Sequence, residues 1–175
     1  MKLKIVNIVA VIKLSSQLDL RELAVALSLP RTSLCGNSWL KMRLMPENYY
    51  VAFYKSGKFL VTGINSLELV DVVTQKVLNL LKDAHLNIII KDTTIHNVVM
   101  TGSLKMNTSL EKVVLALDPS KTSYEPEQFP GMIYKDFEVS FLLFPKGKFV
   151  LTGAKHSKSG EEAAKKFIEI IENIY

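Results

Sequence analysis

The chain has 175 residues, 48% hydrophobic and 22% charged, a balance that excludes a disordered polymer and leaves enough length to bury a core without staples. One cysteine, Cys35, excludes an internal disulfide framework and fits a reducing compartment. The net charge of +5 is compatible with a nucleic-acid partner, and the excess lies in the first half: residues 1–92 carry 12 Lys+Arg against 7 Asp+Glu, residues 93–175 carry 10 against 10.

The apolar run in Met1–Ile12 is broken by Asn7 and is followed by no small-residue cleavage site. No stretch approaches the roughly 18 apolar residues of a membrane span. The expectation is a soluble, intracellular protein. In chain order, a strand is expected over Lys4–Leu14. A helix follows over Asp19–Leu27, with Leu20, Leu23, Ala24 and Leu27 at helical spacing. Strands come next at Trp39–Met45, Tyr49–Tyr54 and Phe59–Thr62, the last two joined by the hairpin turn Lys55-Ser56-Gly57-Lys58. An amphipathic helix then runs from about Ser66 to Ala84, with Leu69, Val70, Val73, Val77, Leu80 and Leu81 on its stripe. The second half repeats the order: strand Ile95–Leu104, helix Ser109–Leu117, strands Met132–Phe137, Val139–Phe144 and Phe149–Thr152, and the turn Pro145–Lys148. The closing helix is expected to start at Ser159, with Glu162 completing a capping box.

The repetition is also in the residues. At an offset of 90, Ile5-Val6-Asn7-Ile8-Val9 matches Ile95-His96-Asn97-Val98-Val99, and Thr32-Ser33 matches Thr122-Ser123. Gly57-Lys58-Phe59 matches Gly147-Lys148-Phe149, and Thr62-Gly63 matches Thr152-Gly153. No gap is needed between Ile5 and Gly63, and 15 of those 59 positions are identical. A shared apolar pattern alone does not place identical Asn, Gly, Lys and Thr in one register. Two repeats are expected, 1–92 and 93–175. Consecutive strands pair antiparallel, and helices flank each three-strand block without entering it. The fold class is therefore α+β, an antiparallel sheet with helices on one face.

Alternation sorts the strand faces. Asn7 with Val9, Ala52 with Tyr54, and Leu60 with Thr62 each share a face. In the second repeat the same holds for Asn97 with Val99, Leu142 with Phe144, and Val150 with Thr152. Four helices are too few to cover both faces. The uncovered face is then apolar, with one asparagine at the same place in each copy, and a functional surface is expected there.

The strings Ser-Tyr-Glu-Pro-Glu-Gln-Phe-Pro-Gly-Met-Ile-Tyr-Lys (Ser123–Lys135) and Phe-Leu-Leu-Phe-Pro-Lys-Gly-Lys-Phe-Val-Leu-Thr-Gly-Ala-Lys (Phe141–Lys155) resemble the TATA-binding protein family. The paired Asn7 and Asn97 strands extend the resemblance over nearly the whole chain, and the lack of a long leading extension is similar to archaeal members. The resemblance implies a ten-stranded saddle of two pseudo-symmetric halves with four helices on its convex face. Its concave face would bind and bend an A·T-rich promoter element from the minor groove. It implies base and floor contacts from Asn7, Val9, Ala52, Leu60, Thr62, Asn97, Val99, Leu142, Val150 and Thr152. It implies a wedge pair, Phe129 and Phe144, in the second half, and phosphate contacts from Lys58, Lys135, Lys148 and Lys155. It implies a stirrup, Tyr124, Glu125, Pro126 and Glu127, that binds transcription factor B and through it RNA polymerase. Nucleoid-associated cytoplasm is the implied location, or the nucleus in a eukaryotic source, and whether the free protein forms a homodimer through its apolar face is left open.

The first repeat departs from the family pattern. Its stirrup lacks the Tyr-x-Pro-x-x-Phe motif, and the ungapped register sets Trp39 opposite Phe129 and Tyr54 opposite Phe144. Trp39 and Tyr54 are then the first wedge pair. In the other alignment Arg43 matches an arginine that follows this strand in the family and joins the phosphate contacts, and Asn37 stands at the wedge position. The ungapped register is preferred because Thr32-Ser33 fixes it upstream. Asn65 stands where the second repeat has Lys155, and His96 precedes Asn97 where the family commonly has Gln. A divergent paralogue acting mainly through protein contacts is the alternative function. His85, His96 and His156 lack metal-ligand spacing, Cys35 has no placed base, and no phosphate loop occurs. Neither an enzyme, a metal nor a cofactor is expected.

Overall fold

The computed structural model describes residues 3–86 and 88–174. The elements are β1 (Lys4–Leu14), α1 (Leu20–Ala26), β2 (Leu34–Cys35), β3 (Trp39–Leu44), β4 (Tyr49–Tyr54), β5 (Lys58–Ile64) and α2 (Glu68–Asp83). They continue with β6 (Ile90–Ser103), α3 (Leu110–Ala116), β7 (Thr122–Ser123), β8 (Met132–Asp136), β9 (Val139–Leu143), β10 (Lys148–Ala154) and α4 (Ser157–Glu172). This is a ten-stranded antiparallel sheet with four helices, the α+β class the sequence implies. The strand order is β2-β3-β4-β5-β1 in the first repeat and β6-β10-β9-β8-β7 in the second. The chain divides into two compact units, Asn7–His96 and a second made of the residues up to Val6 with those from Asn97 onward.

Within the first unit, alternation along β5 buries Phe59, Val61 and Ile64 and leaves Leu60 and Thr62 half-exposed. Helix α2 packs on the buried side through Val70, Val73, Val77 and Leu81, each such side chain contributing about 1.5–3 kcal/mol of burial. Helix α1 starts where Asp19 accepts the Arg21 and Glu22 amides at 2.9 and 3.0 Å, which satisfies two of its free donors. In the second unit, α4 packs on β10, and Phe167 stacks on Phe141 with ring centres 4.1 Å apart. Tyr134 and Phe149 close around it at 5.5 and 5.9 Å. Helix α4 begins at Ser157, two residues ahead of the expected start, and no side chain caps it. Ser159 donates its hydroxyl to the His156 carbonyl at 2.9 Å instead of capping. The expected capping box therefore lies inside the first turn.

The β4–β5 and β9–β10 turns place Gly57 at φ +77° and Gly147 at φ +78°. Each also presses on the end of its repeat's leading strand, where its carbonyl accepts the Leu14 or Leu104 amide at 2.9 Å. A Cβ on Gly57 would stand 2.2 Å from the Ser16 carbonyl oxygen, and one on Gly147 2.2 Å from that of Leu104. Backbone conformation and space both exclude a side chain there.

One relationship differs from the ungapped repeat. β4 and β9 keep the offset of 90, since Ala52 faces Leu60 and Leu142 faces Val150. Their outer neighbours do not: Ala52 faces Lys41 and Tyr50 faces Arg43, whereas Leu142 faces Ile133 and Ser140 faces Lys135. Lys41 thus matches Ile133, and Arg43 matches Lys135, two residues further on. The first repeat is shorter by two before β3 and longer by two after it. The β3–β4 hairpin spans residues 45–48, whereas β8 and β9 are joined by Phe137 and Glu138 alone, both at positive φ (+54° and +60°) as a tight hairpin requires. The two changes cancel, so the repeat appears gapless in sequence.

Candidate nucleic-acid interface

Each repeat presents one half-exposed sheet face built in the same way. On the first, Val9 faces Thr62, Val11 faces Leu60, and Leu60 faces Ala52 across the strands. Asn7 stands at a register irregularity between Ile8 and Val9. Its carboxamide oxygen accepts the Thr62 hydroxyl at 3.0 Å and the Gly63 amide at 2.8 Å. Gly63 adopts φ +97°, a conformation that suits glycine and turns its N–H toward Asn7.

The second face repeats this. Asn97 Oδ1 accepts the Gly153 amide at 2.8 Å, with Gly153 at φ +102°. Unlike Asn7, Asn97 donates from Nδ2 to the threonine hydroxyl, Thr152 Oγ1, at 3.2 Å. Val99, Thr101, Val150 and Leu142 are half-exposed around it. With the oxygen of each asparagine held by a backbone N–H, donors remain on the amino group: both N–H of Asn7, and on Asn97 the one not given to Thr152.

Beside each floor lies an aromatic pair. Phe129 and Phe144 meet edge-on at 5.7 Å. They fold together over Gly131, where a Cβ would come within 2.8 Å of the Phe129 ring and 3.1 Å of the Phe144 ring. Trp39 and Tyr54 lie nearly parallel at 6.3 Å and 15°. The strand pairing corrects the expected equivalence of Trp39 and Phe129. Trp39 is the direct cross-strand partner of Tyr54, the place that Gly131 holds toward Phe144, and Asn37 stands where Phe129 stands. The alignment that sets Arg43 beside its counterpart is the structural one. Trp39 reaches Tyr54 from a different position.

Ala52 needs a second correction. It lies on the expected face but is 0% exposed. Tyr50 and Tyr54 flank it two residues away, and Trp39 approaches both, at 6.4 and 6.3 Å. The rings cover the alanine, so the accessible surface there is aromatic. Alternation gives the face of a residue but not what a neighbouring strand lays over it. Tyr50, Ile133 and Lys41 also come to these faces through strand pairing, and only the strand register reveals them.

Cations border these faces. The Arg43 guanidinium lies 5.1 Å over the Tyr50 ring and donates to the Asn48 carbonyl at 3.2 Å. Lys58 Nζ lies 5.3 Å over Tyr54. Lys135, Lys148 and Lys155 are exposed. Burial is the main cause that pushes the Tyr50 hydroxyl above its ordinary value.

The Tyr124–Gly131 segment leaves β7 as an exposed loop. The Glu125 carbonyl accepts the Gln128 and Phe129 amides, both at 2.9 Å, and so fixes the turn that delivers Phe129. Glu125, Pro126 and Glu127 are exposed. Tyr124 donates to Glu111 on α3 at 3.2 Å; partial desolvation, then this bond, raises its hydroxyl above the usual value. Among the described residues, no cluster of His, Cys, Asp and Glu is arranged to hold a metal, and no helix is long and apolar enough to cross a membrane.

A tandem α+β repeat whose two sheet faces each combine an apolar floor, a clamped asparagine and an aromatic pair defines a class of two-repeat sheet-face protein. The chain belongs to the TATA-binding protein family: the model of transcription factor TFIID (or TATA-binding protein, TBP) matches residues 2–84 and 92–174. It is 33% identical over 176 residues to the TATA-box-binding protein of Methanocaldococcus jannaschii, covering 99% of this chain and 95% of that one. It is 35% identical over 175 residues to TATA-box-binding protein C of Halobacterium salinarum, covering 95% and 96%. The solved structure of Methanococcus jannaschii TBP superposes with a TM-score of 0.85 at 32% identity over 100% of both chains.

Proposed function

We propose that this protein is a transcription initiation factor that binds an A·T-rich promoter element in the minor groove, bends it, and recruits transcription factor B. The observation that supports this most is the asparagine clamp repeated in both halves. In the minor groove, A·T and T·A pairs present only the acceptors A N3 and T O2, whereas G·C adds an amino donor. Asn7 and Asn97, with their oxygens engaged, offer donors to those acceptors. The surrounding Val9, Leu60, Val99 and Val150 offer a guanine amino group no partner, and burying it unpaired costs about 1–3 kcal/mol. Thr62 and Thr152 add hydroxyls at the floor. Lys58, Lys135, Lys148, Lys155 and Arg43 supply the salt-dependent phosphate attraction. Aromatic side chains at the floor's end suit minor-groove architectural binding, in which apolar wedges open base steps.

The exposed acidic loop Tyr124–Glu127 is the surface assigned to transcription factor B, with RNA polymerase following through that factor. A nucleoid-associated place in the cytoplasm accompanies this function, and the apolar faces offer a contact for a homodimer off DNA. A second reading, a paralogue that acts mainly through protein contacts, draws on Asn37 standing where the second repeat has a wedge phenylalanine.

Binding to three duplexes tests the proposal. An A·T-rich duplex and its inosine·cytosine counterpart look alike in the minor groove, while the G·C version differs by the 2-amino group alone. Tight binding to the first two and at least tenfold weaker binding to the third is expected. Equal binding to all three, with transcription factor B still captured, favours the second reading. Glu125→Ala with Glu127→Ala should weaken that capture without changing DNA affinity.

A further inference from the structure

The two half-sites differ more than the repeat suggests. In the second repeat, Phe129 is delivered by the loop before β8, two residues ahead of Gly131. The vacancy at Gly131 lets the two rings meet at 64°, so that one edge points at the face of the other. This pair forms a ridge. In the first repeat the loop position is exposed Asn37, and the aromatic residue sits inside the sheet at Trp39. Its indole lies nearly parallel to Tyr54 and at 64° to Tyr50, on the strand face that carries buried Ala52. Arg43 and Lys58 lie over the two tyrosine rings. Exposed Lys41 faces Ala52 where the second repeat has half-buried Ile133. Phe129 and Ile133, both apolar, thus give way to polar Asn37 and cationic Lys41 in the first repeat.

Resting on the function proposed above, we infer that the two half-sites act differently on DNA: the second opens a base step with Phe129 and Phe144, while the first, which has Asn37 and Lys41 where the second has Phe129 and Ile133, holds the duplex on a cationic–aromatic surface and opens none. Lys41 is then an additional DNA-contacting residue with no counterpart in the second repeat. A wedge must enter between stacked bases and offset their unstacking, on the order of a few kcal/mol per step. In the first repeat polar Asn37 stands in the corresponding loop, and the aromatic side chains belong to strands bordered by Lys41, Arg43 and Lys58. Their cations act on the phosphates, where each neutralised charge contributes independently of sequence. The positive excess of residues 1–92 agrees with this division.

The test follows energy transfer between the ends of an A·T-rich duplex, with binding measured separately by anisotropy. The wild type should bend the duplex. Phe129→Ala with Phe144→Ala should still bind, more weakly, and leave the bound duplex nearly straight. Trp39→Ala and Tyr54→Ala should weaken binding yet keep the wild-type energy transfer at saturation. Lys41→Ile, a surface change, should keep the bend and flatten the dependence of log K on log salt by about 0.9. If the Phe129/Phe144 variant retains about half of the bend, or Tyr54→Ala loses as much as Phe144→Ala, the first half-site also opens a step and the inference is overturned. An unchanged salt slope in Lys41→Ile removes Lys41 from the contact. A wild type that leaves the duplex straight overturns the function proposed above, and the inference with it.

Discussion

Asn97 accepts the Gly153 amide through its carboxamide oxygen at 2.8 Å and donates from Nδ2 to Thr152 Oγ1 at 3.2 Å, which leaves one amino N–H free. Asn97→Asp keeps the acceptor and removes the donor. Affinity for an A·T-rich duplex should fall by about 1–3 kcal/mol, the magnitude of one good base-edge contact, while thermal stability is nearly unchanged. Asn7→Asp should behave alike, since Gly63 holds Asn7 in the same way. Equilibrium titration with a parallel melt checks this; unaltered affinity removes these residues from the interface.

The glycines should rank in stability. Gly153→Ala meets nothing closer than 3.4 Å, so only its φ of +102° opposes a side chain. The loss should be about 1–3 kcal/mol. Gly147→Ala adds a 2.2 Å collision with the Leu104 backbone oxygen, and backbone cannot swing away as a flexible side chain does. Urea unfolding should show Gly147→Ala clearly less stable than Gly153→Ala. Equal midpoints contradict the close approach.

Asp136 accepts from Lys121 at 2.8 Å, from Tyr134 at 3.0 Å and from the Phe137 amide at 2.8 Å. The lysine bond is the main cause that holds its carboxyl below the usual value of 3.8. A lowered folded value means that the unfolded chain takes up the proton first. The stabilisation is therefore complete above pH 3.8 and is lost as pH falls through the lower folded value. Asp136→Asn should flatten the acid limb of stability and cost under about 1 kcal/mol at neutral pH, because the pair is partly solvated. An acid limb identical to wild type contradicts the assignment.

Much of this architecture is legible in the chain. Tyr49–Tyr54 and Lys4–Leu14 run as the pattern sets them, because alternation and flanking turns agree. The identical Asn, Thr and Gly residues mark both clamps without any structure. The register of β3 is not legible. Between Leu34 and Ser56 the ungapped repeat has one identity, Met42 with Met132, and strand pairing instead sets Leu40 against Met132. Two compensating length changes leave both flanks in phase, so the internal repeat does not report them; the arginine match at Arg43 alone points to the structural alignment. The shorter hairpin places Phe137 and Glu138 at positive φ, residue types that give no turn signal. The two-residue edge strands β2 and β7 are too short for any period to show.

Bending of an A·T-rich duplex is the central claim, and energy transfer across short end-labelled duplexes measures it most directly. The account predicts a rise in transfer on the A·T-rich duplex, none on the G·C-rich control, and a further gain in complex lifetime when transcription factor B is added. Binding without any change in transfer on either duplex would contradict it.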